Sequence, residues 1–390
     1  MKPVGFRHVG RHGALADVNH DEASREDFIA SMYFAVQSDV FPGNRLAWDH
    51  RVGPAFQRAN GRAPRDRHEI RRAMESAPQF QWWSSLRRTT QEMKQAAGEE
   101  FVHRQVDDIN ARVRKLNLSG KGSLRLDPNI RVPRYAGKVD FHGQPGGYFD
   151  ERCADDTSPA AIYDPGVYVL TKGFMGAHCE AAGASAINFL KRRFPDFSPG
   201  RILDMGCSVG HSTLPYADAY PAARIDAIDL SAPMLRYAHA RASSMDYSLH
   251  FSQQNAERTG FPAESFDLVV SHIVLHETSR SALRNIVAEC HRLLKPDGVM
   301  LHIEQRQHQG MGPFEQFYYD WDTLNNNEPF WGTLHDMDLG KVAVEAGFSR
   351  HDVFQEMVPN LVAADMLREQ IDQGGDFKRT AVWFAFGARK

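Results

Sequence analysis

From Arg201 onward, short β-prone segments alternate with amphipathic helical ones, and this alternation limits the fold more than any other feature. RILDMG, RIDAIDL, LHFSQQ, FDLVVSHIV and VMLHIE read as strands, while HSTLPYADAY, APMLRYAHARA and RSALRNIVAECHRLL read as helices. Strands joined through helices pair in parallel, because each helix carries the chain back to the same end of the sheet. The helices then cover both faces, with right-handed crossovers. A helix over 337–346, a strand near 351–357 and a last strand TAVWFAFGAR extend the pattern.

The 390 residues exceed one typical core and allow a second unit. Residues 1–20 are rich in Gly and His and read as a loose arm. Residues 21–41 read as a helix stopped by Pro42-Gly43. Pro64 opens a helix through RDRHEIRRAMESA, and a long charged helix covers 79–116 until Ser119-Gly120-Lys121-Gly122 ends it. Prolines and glycines are then spaced through 123–170, with turn signals at Gly146-Gly147-Tyr148 and Asp164-Pro165-Gly166, so this stretch reads as an extended connector. A helix over 173–193 follows. The expected division is a mainly helical N-terminal domain, 1–122, a connector or lid, 123–172, and an α/β domain, 173–390, with an insertion at 306–336.

The net charge of -3 argues against duplex DNA or an anionic membrane as partner. Residues 1–150 are net positive and the rest net negative, which a solvated helix surface explains. Cys153, Cys179, Cys207 and Cys290 form no CxxC pair and no disulfide framework, which fits a reducing compartment. The first residues lack the apolar core of a signal peptide, and no apolar run reaches membrane-spanning length. A cytoplasmic protein is expected.

The first strand of the alternating region runs into Asp204-Met205-Gly206-Cys207-Ser208-Val209-Gly210. Glycines at a strand-to-helix turn let a ligand approach the backbone, and ligands of open parallel sheets lie beyond the carboxyl ends of the strands. The loop has neither the GxGxxG spacing of a dinucleotide fold nor the GK[ST] ending of a P-loop. Asp229 ends the next strand, where a carboxylate can accept hydrogen bonds from a ribose diol. An adenosine without a phosphate chain fits this combination.

DMGCSVG, followed by AIDLSAPMLRYAHARA, NAERTGFPAESFDLVVSHIVLHE and HRLLKPDGVMLHIE, resembles the class I S-adenosylmethionine-dependent methyltransferases, in particular the group of ubiquinone/menaquinone biosynthesis and natural-product enzymes. The resemblance covers 198–304 and, in outline, 337–390. It implies a doubly wound, mostly parallel seven-stranded Rossmann-like sheet and S-adenosyl-L-methionine as cofactor. It places Asp204, Gly206, Cys207, Ser208 and Gly210 around the amino-acid end of the cofactor. It sets Asp229 on the ribose, Leu230 and Ser231 beside the adenine, Asn255, Ala256 and Glu257 over the adenine edge, and Ser271 beside the reacting methyl. The family often has Asp where Asn255 stands; the amide carbonyl can still accept from the adenine amine.

Transfer of a methyl from a sulfonium needs alignment more than activation, and a base only if the acceptor must lose a proton. His272 and His276, at and after the end of the fourth strand, are the candidate catalytic residues. Glu277, His302 and Glu304 could join them, and one or two of these histidines are expected to hydrogen-bond substrate or cofactor rather than to bind a metal. The insertion is dense in aromatic residues, including Phe314, Phe317, Tyr318, Tyr319, Trp321, Phe330 and Trp331, which suits the wall of a small organic acceptor. Tyr148, His302, Glu304, Phe317, Tyr318 and Trp321 are the candidate substrate contacts. The N-terminal region, with Tyr33, Trp82, Trp83 and Arg87, is expected to close over the same mouth or to form a homodimer contact.

After the fourth strand the chain reads SHIV, where base-methylating relatives carry [ND]PP[YF], and no basic stripe interleaved with aromatics appears. A small-molecule methyltransferase is therefore expected. The alternatives are another reaction on the same cofactor and scaffold, or a non-catalytic cofactor-binding regulator.

Overall fold

The computed structural model describes residues 9–361 and 382–390. Eight strands form one sheet: β1 (Gly122–Arg125), β2 (Arg201–Met205), β3 (Arg224–Asp229), β4 (Leu249–Gln253), β5 (Phe266–His272), β6 (Leu294–Glu304), β7 (Val353–Pro359) and β8 (Val382–Arg389). Their order is β1-β4-β3-β2-β5-β6-β8-β7. Pairing is parallel from β1 to β6; β8 runs antiparallel to β6 and to β7. The order reverses beside β2, so the loops after β2 and β5 diverge there and leave a crevice at their carboxyl ends. Thr380 and Ala381, expected to begin the last strand, lie outside the described residues, as do residues 1–8 of the expected arm.

The central strands are apolar on both faces. Ile202, Leu203, Ile228, Val269, Val270, Leu301 and Ile303 are all buried. Helices Ala181–Arg193 and Ala232–Ser244 pack on the face that carries Ile202, Ala227 and Val270, and helix Arg280–Leu293 on the face that carries Leu203, Ile228 and Val269.

The sheet has one more strand than the seven expected. The extra one, β1, comes from the start of the stretch read as an extended connector. It pairs with β4 from Gly122 opposite Leu249 to Arg125 opposite Ser252. Only glycine fits at its first position: φ is +80°, and a Cβ there would meet the Leu249 carbonyl oxygen at 1.9 Å.

Four further expectations are corrected. Asp164-Pro165-Gly166 is not a turn but lies inside the helix Ser158–Thr171, where burial of Ala160, Ala161, Ile162 and Pro165 outweighs the proline's missing N–H. The helix expected over 173–193 begins only at Ala181. The helix expected over 79–116 is two, Pro78–His103 and Val106–Ser119; Gln105, at φ -131° and ψ 20°, breaks it, and its side chain donates to the Phe101 carbonyl. Pro42 likewise opens a helical turn, Pro42–Ala47, instead of ending one.

The N-terminal helices join the α/β core directly. Ala14, Phe101, Ile109 and Val113 share a core with Val209, Met234 and Tyr237. Val36, Ile70, Met74, Phe80 and Trp83 share another with Phe317, Tyr318 and Trp321 of the insertion. No described helix is long and apolar enough to cross a membrane.

Candidate active site

A cleft with about 840 Å³ of empty space, part of it open to solvent, lies beyond the carboxyl ends of β2, β3, β4 and β5. Gly206, Ser208, Asp229, Leu230, Asn255, Ala256 and His272 line it. Tyr135, Phe141 and Tyr148, from the segment between β1 and helix Ser158–Thr171, roof it.

The glycine-rich turn is shaped to leave room. Gly206 has φ +73°, and a Cβ there would come within 2.8 Å of Val274 Cγ2, a side chain of the cleft wall. Ser208, at φ +48°, donates its backbone N–H to Asp229 Oδ2 at 3.0 Å. Asp229 Oδ1 accepts from the Ser231 N–H at 2.8 Å. Two backbone donors fix this carboxylate with its outer lone pairs toward the cleft. Its oxygens reach the cleft, yet the surrounding protein desolvates it and pushes its carboxyl up to about 6, against the hydrogen bonds from Ser231 and Ser208.

Asp204 is buried at the end of β2. Its Oδ2 accepts from Thr213 Oγ1 at 2.6 Å, while Oδ1 has no hydrogen-bond partner; the nearest ionisable group is His272 Nδ1 at 3.5 Å. The other ring nitrogen of His272 meets the Tyr216 hydroxyl at 3.1 Å. Asn255 Oδ1 accepts from the Glu257 N–H, and Glu257 itself points away to the Tyr135 hydroxyl and Asn285.

The remaining expected residues fall in three places. Cys207, Gly210 and Ser231 support the turn from behind the cleft wall. The Cys207 thiol is pushed well up by burial, and Ser231 Oγ donates to the Tyr148 carbonyl at 2.6 Å, tying the roof to the end of β3. Ser271 and His302 pair with each other at 2.7 Å inside the sheet, against Cys290 and the Phe386 ring. Burial, together with the nearby His272, lowers His302 to about 3. Side chains alternate along a strand, so Ser271 and His272 face opposite sides of β5. Phe317, Tyr318 and Trp321 pack on Phe80 and Trp83 of the N-terminal helices and do not line the cleft.

His276 lies behind the cleft on the short turn Leu275–Glu277. Glu304, at the end of β6, accepts from the Val274 and Leu275 N–H groups and from His276 Nδ1 at 2.8 Å. His276 Nε2 faces Glu328 Oε2 at 3.4 Å. Burial opposes its charge, but Glu304, Glu328 and Glu277 outweigh that and raise it to about 10.

Glu277 lines the cleft and accepts from the Tyr148 hydroxyl at 2.8 Å and from His142 Nε2 at 3.2 Å. Burial opposes its charge, but His142, His276 and the Tyr148 hydroxyl hold its carboxyl below the usual range. His142, Tyr135 and Glu328 were not expected: each sits in a polar stretch with no periodicity, and only the tertiary fold brings them here.

Residues 202–298 match the family model described as a methyltransferase domain. The chain is 34% identical over 114 residues to the malonyl-[acyl-carrier protein] O-methyltransferase of Halalkalibacterium halodurans, covering 28% of this chain and 41% of that one. It is 28% identical over 223 residues to a highly reducing polyketide synthase of Aspergillus nomiae, covering 53% of this chain and 8% of the synthase. An uncharacterized methyltransferase of Synechocystis is 28% identical over 189 residues, 47% of this chain and 83% of its own. Among solved structures, phosphoethanolamine N-methyltransferase 2 of Haemonchus contortus with S-adenosyl-L-methionine superposes with a TM-score of 0.43 at 20% identity, over 59% of this chain and 57% of that one. The chain thus spans less than half the length of the synthase and of the O-methyltransferase it matches.

The fold is a Rossmann-like α/β sheet with a glycine-rich turn after its first central strand and a carboxylate, Asp229, at the end of the next, both lining one cleft. Residues 202–298 thus carry a methyltransferase domain, similar to the class I S-adenosylmethionine-dependent methyltransferases. The residues present fit that family's cofactor: the unpartnered Asp204 Oδ1 suits an ammonium, and the glycine cradle that a Cβ would fill lies beside it.

Proposed function

We propose that this protein transfers a methyl group from S-adenosylmethionine to a small organic acceptor by in-line displacement. The observation that carries the reading is one cleft that joins Gly206, Asp229 and Asn255 at one end to His272 and Glu277 at the other, under an aromatic roof, with Asp204 buried behind the glycine turn. When bound, the cofactor supplies a methyl already activated on a sulfonium. Asp229 accepts from the ribose hydroxyls, Asp204 Oδ1 holds the amino group, and Leu230, Ala256 and the Asn255 amide flank the adenine. Tyr135, Phe141 and Tyr148 exclude water from the transfer path.

As the bond to the acceptor forms, the carbon–sulfur bond breaks and its electron pair stays on sulfur. A proton lost by the acceptor needs a nearby imidazole. His272 stands in the cleft wall and is the imidazole placed to take it, whereas His276, kept charged by Glu304 and Glu328, can only donate. Transfer of a labelled methyl to a panel of small acceptors tests the reading, and the malonyl-acyl-carrier protein named in one relative belongs in that panel. A labelled product is expected from the wild type. The Asp229→Ala variant should form it at least about tenfold more slowly at low donor concentration, because charge-assisted hydrogen bonds to the donor are lost. Wild-type rates in that variant would contradict the placement of the donor.

A further inference from the structure

Glu328 is a carboxylate in the wrong company for a structural acid. It is buried, in the insertion after β6, yet its contacts are side chains alone: Asn326 Nδ2 at 3.0 Å, His142 Nδ1 at 3.3 Å and His276 Nε2 at 3.4 Å. Glu304, equally deep, is held by two backbone N–H groups as well as by His276. Burial, with Glu277 beside it, pushes the Glu328 carboxyl up and outweighs the pull of His142 and His276.

Its two imidazole partners are each held by a second carboxylate as well, although Glu328 helps keep both charged and the Asn326 amide also approaches His142 Nδ1 at 3.3 Å. His142 is anchored on its other nitrogen by Glu277, and His276 on its other nitrogen by Glu304. Both would keep their donors aimed at the same point if Glu328 left. Around that point the protein leaves polar atoms unmatched. Both ring nitrogens of His335, the Trp331 indole N–H and Glu328 Oε2 are buried without a hydrogen-bond partner, and the Trp331 ring lies 5.0 Å from His276 and 4.8 Å from His335. Native proteins seldom bury such groups without giving them a partner. The point is also next to the donor cleft, since Val274, Glu277 and Thr278, on the same turn as His276, line it.

We propose that Glu328 occupies the seat of the acceptor, and that the acceptor is a molecule with a negatively charged or acidic oxygen, a carboxylate or a hydroxyl acidified by conjugation, which displaces Glu328 and is held by His142 and His276. This rests on the methyl-transfer reading. The acceptor arrives ionised, so the two imidazoles serve as donors to its oxygen, and His335 and the Trp331 N–H supply partners for a second polar group. Glu277, Glu304, His335 and Lys94 are the other titratable groups that act on this pair.

The test uses benzoate as probe and benzamide as its uncharged match, titrated into the full-length chain saturated with S-adenosylhomocysteine. Glu328→Ala should bind benzoate at least about tenfold more tightly than the wild type, the scale of charge-assisted hydrogen bonds freed for a new partner. Benzamide should gain nothing. Adding His142→Asn or His276→Asn to Glu328→Ala should remove the gain. If Glu328→Ala fails to bind S-adenosylhomocysteine, Glu328→Gln takes its place and should show a smaller gain of the same sign. Equal benzoate affinity in variant and wild type, or an equal gain for benzamide, would overturn the proposal. Absence of S-adenosylhomocysteine binding in the wild type would instead sink the methyl-transfer reading, and the acceptor seat with it.

Discussion

If the methyl donor sits as proposed, Asp229 couples its binding to pH. Its carboxyl is raised from the usual 3.8 to about 6. Between those values the folded protein holds more protons than the unfolded chain, so this group's contribution to stability falls as pH rises through the window. The ionised carboxylate accepts from hydroxyls with both oxygens and more strongly than the protonated acid does. Affinity for S-adenosylhomocysteine should therefore rise from pH 5 to pH 7, by at most about tenfold per unit below the carboxyl's own value. Calorimetric titrations across that range check this, and a flat profile would contradict it. Asp229 and the glycine turn were legible in the sequence because their chemistry is local: a strand end, a tight turn, a spacing. Glu328 and His142 were not, because what singles them out is a partner more than a hundred residues away.

At the scale of elements, the insertion is held to the N-terminal helices by a buried guanidinium. Arg67 donates to Asp320 Oδ2 at 3.0 Å and to both oxygens of Asp336 at 2.8 and 2.6 Å, and Arg71 also reaches Asp320. Replacing Arg67 by Ala leaves the buried Asp320 carboxylate with Arg71 alone and frees the exposed Asp336, and should cost at most about 3 kcal/mol. Denaturant unfolding measures that loss. Hydrogen exchange should quicken first in 313–335, the segment that carries Glu328. The aromatic run of this insertion was read as an acceptor wall, but its sequence could not say which way the rings face. Phe317, Tyr318 and Trp321 turn toward Phe80 and Trp83, because the N-terminal helices offer the larger apolar surface. The strands and helices from Arg201 to Glu304 were readable because their apolar periodicity matches their burial. β1 was hidden by its shortness and its setting among glycines and prolines, and helix Ser158–Thr171 by a proline that burial overrides.

Across the whole molecule, two of the apolar cores are shared between the N-terminal helices and the α/β part. One joins Phe101 and Ile109 to Met234 and Tyr237; the other joins Ile70 and Trp83 to Phe317 and Trp321. Asp164 adds a polar tie, accepting from His12 at 2.7 Å, His211 at 2.5 Å and the Tyr237 hydroxyl at 2.8 Å. A chain that begins at residue 120 should expose both cores and aggregate, and the full chain should melt in a single calorimetric transition. Two separate transitions would show that the helices fold as an independent unit. One of these shared cores also packs against Tyr148 of the roof, so the N-terminal helices help to shape the site without lining it.

The central claim is that the cleft beyond β2, β3 and β5 is the methyl donor's site. Calorimetric titration of S-adenosylhomocysteine into the wild type and into Asp229→Ala at pH 7.5 tests it most directly. The account predicts one site per chain in the wild type and affinity at least about tenfold weaker in the variant. No binding to the wild type, or equal binding to both, would contradict it.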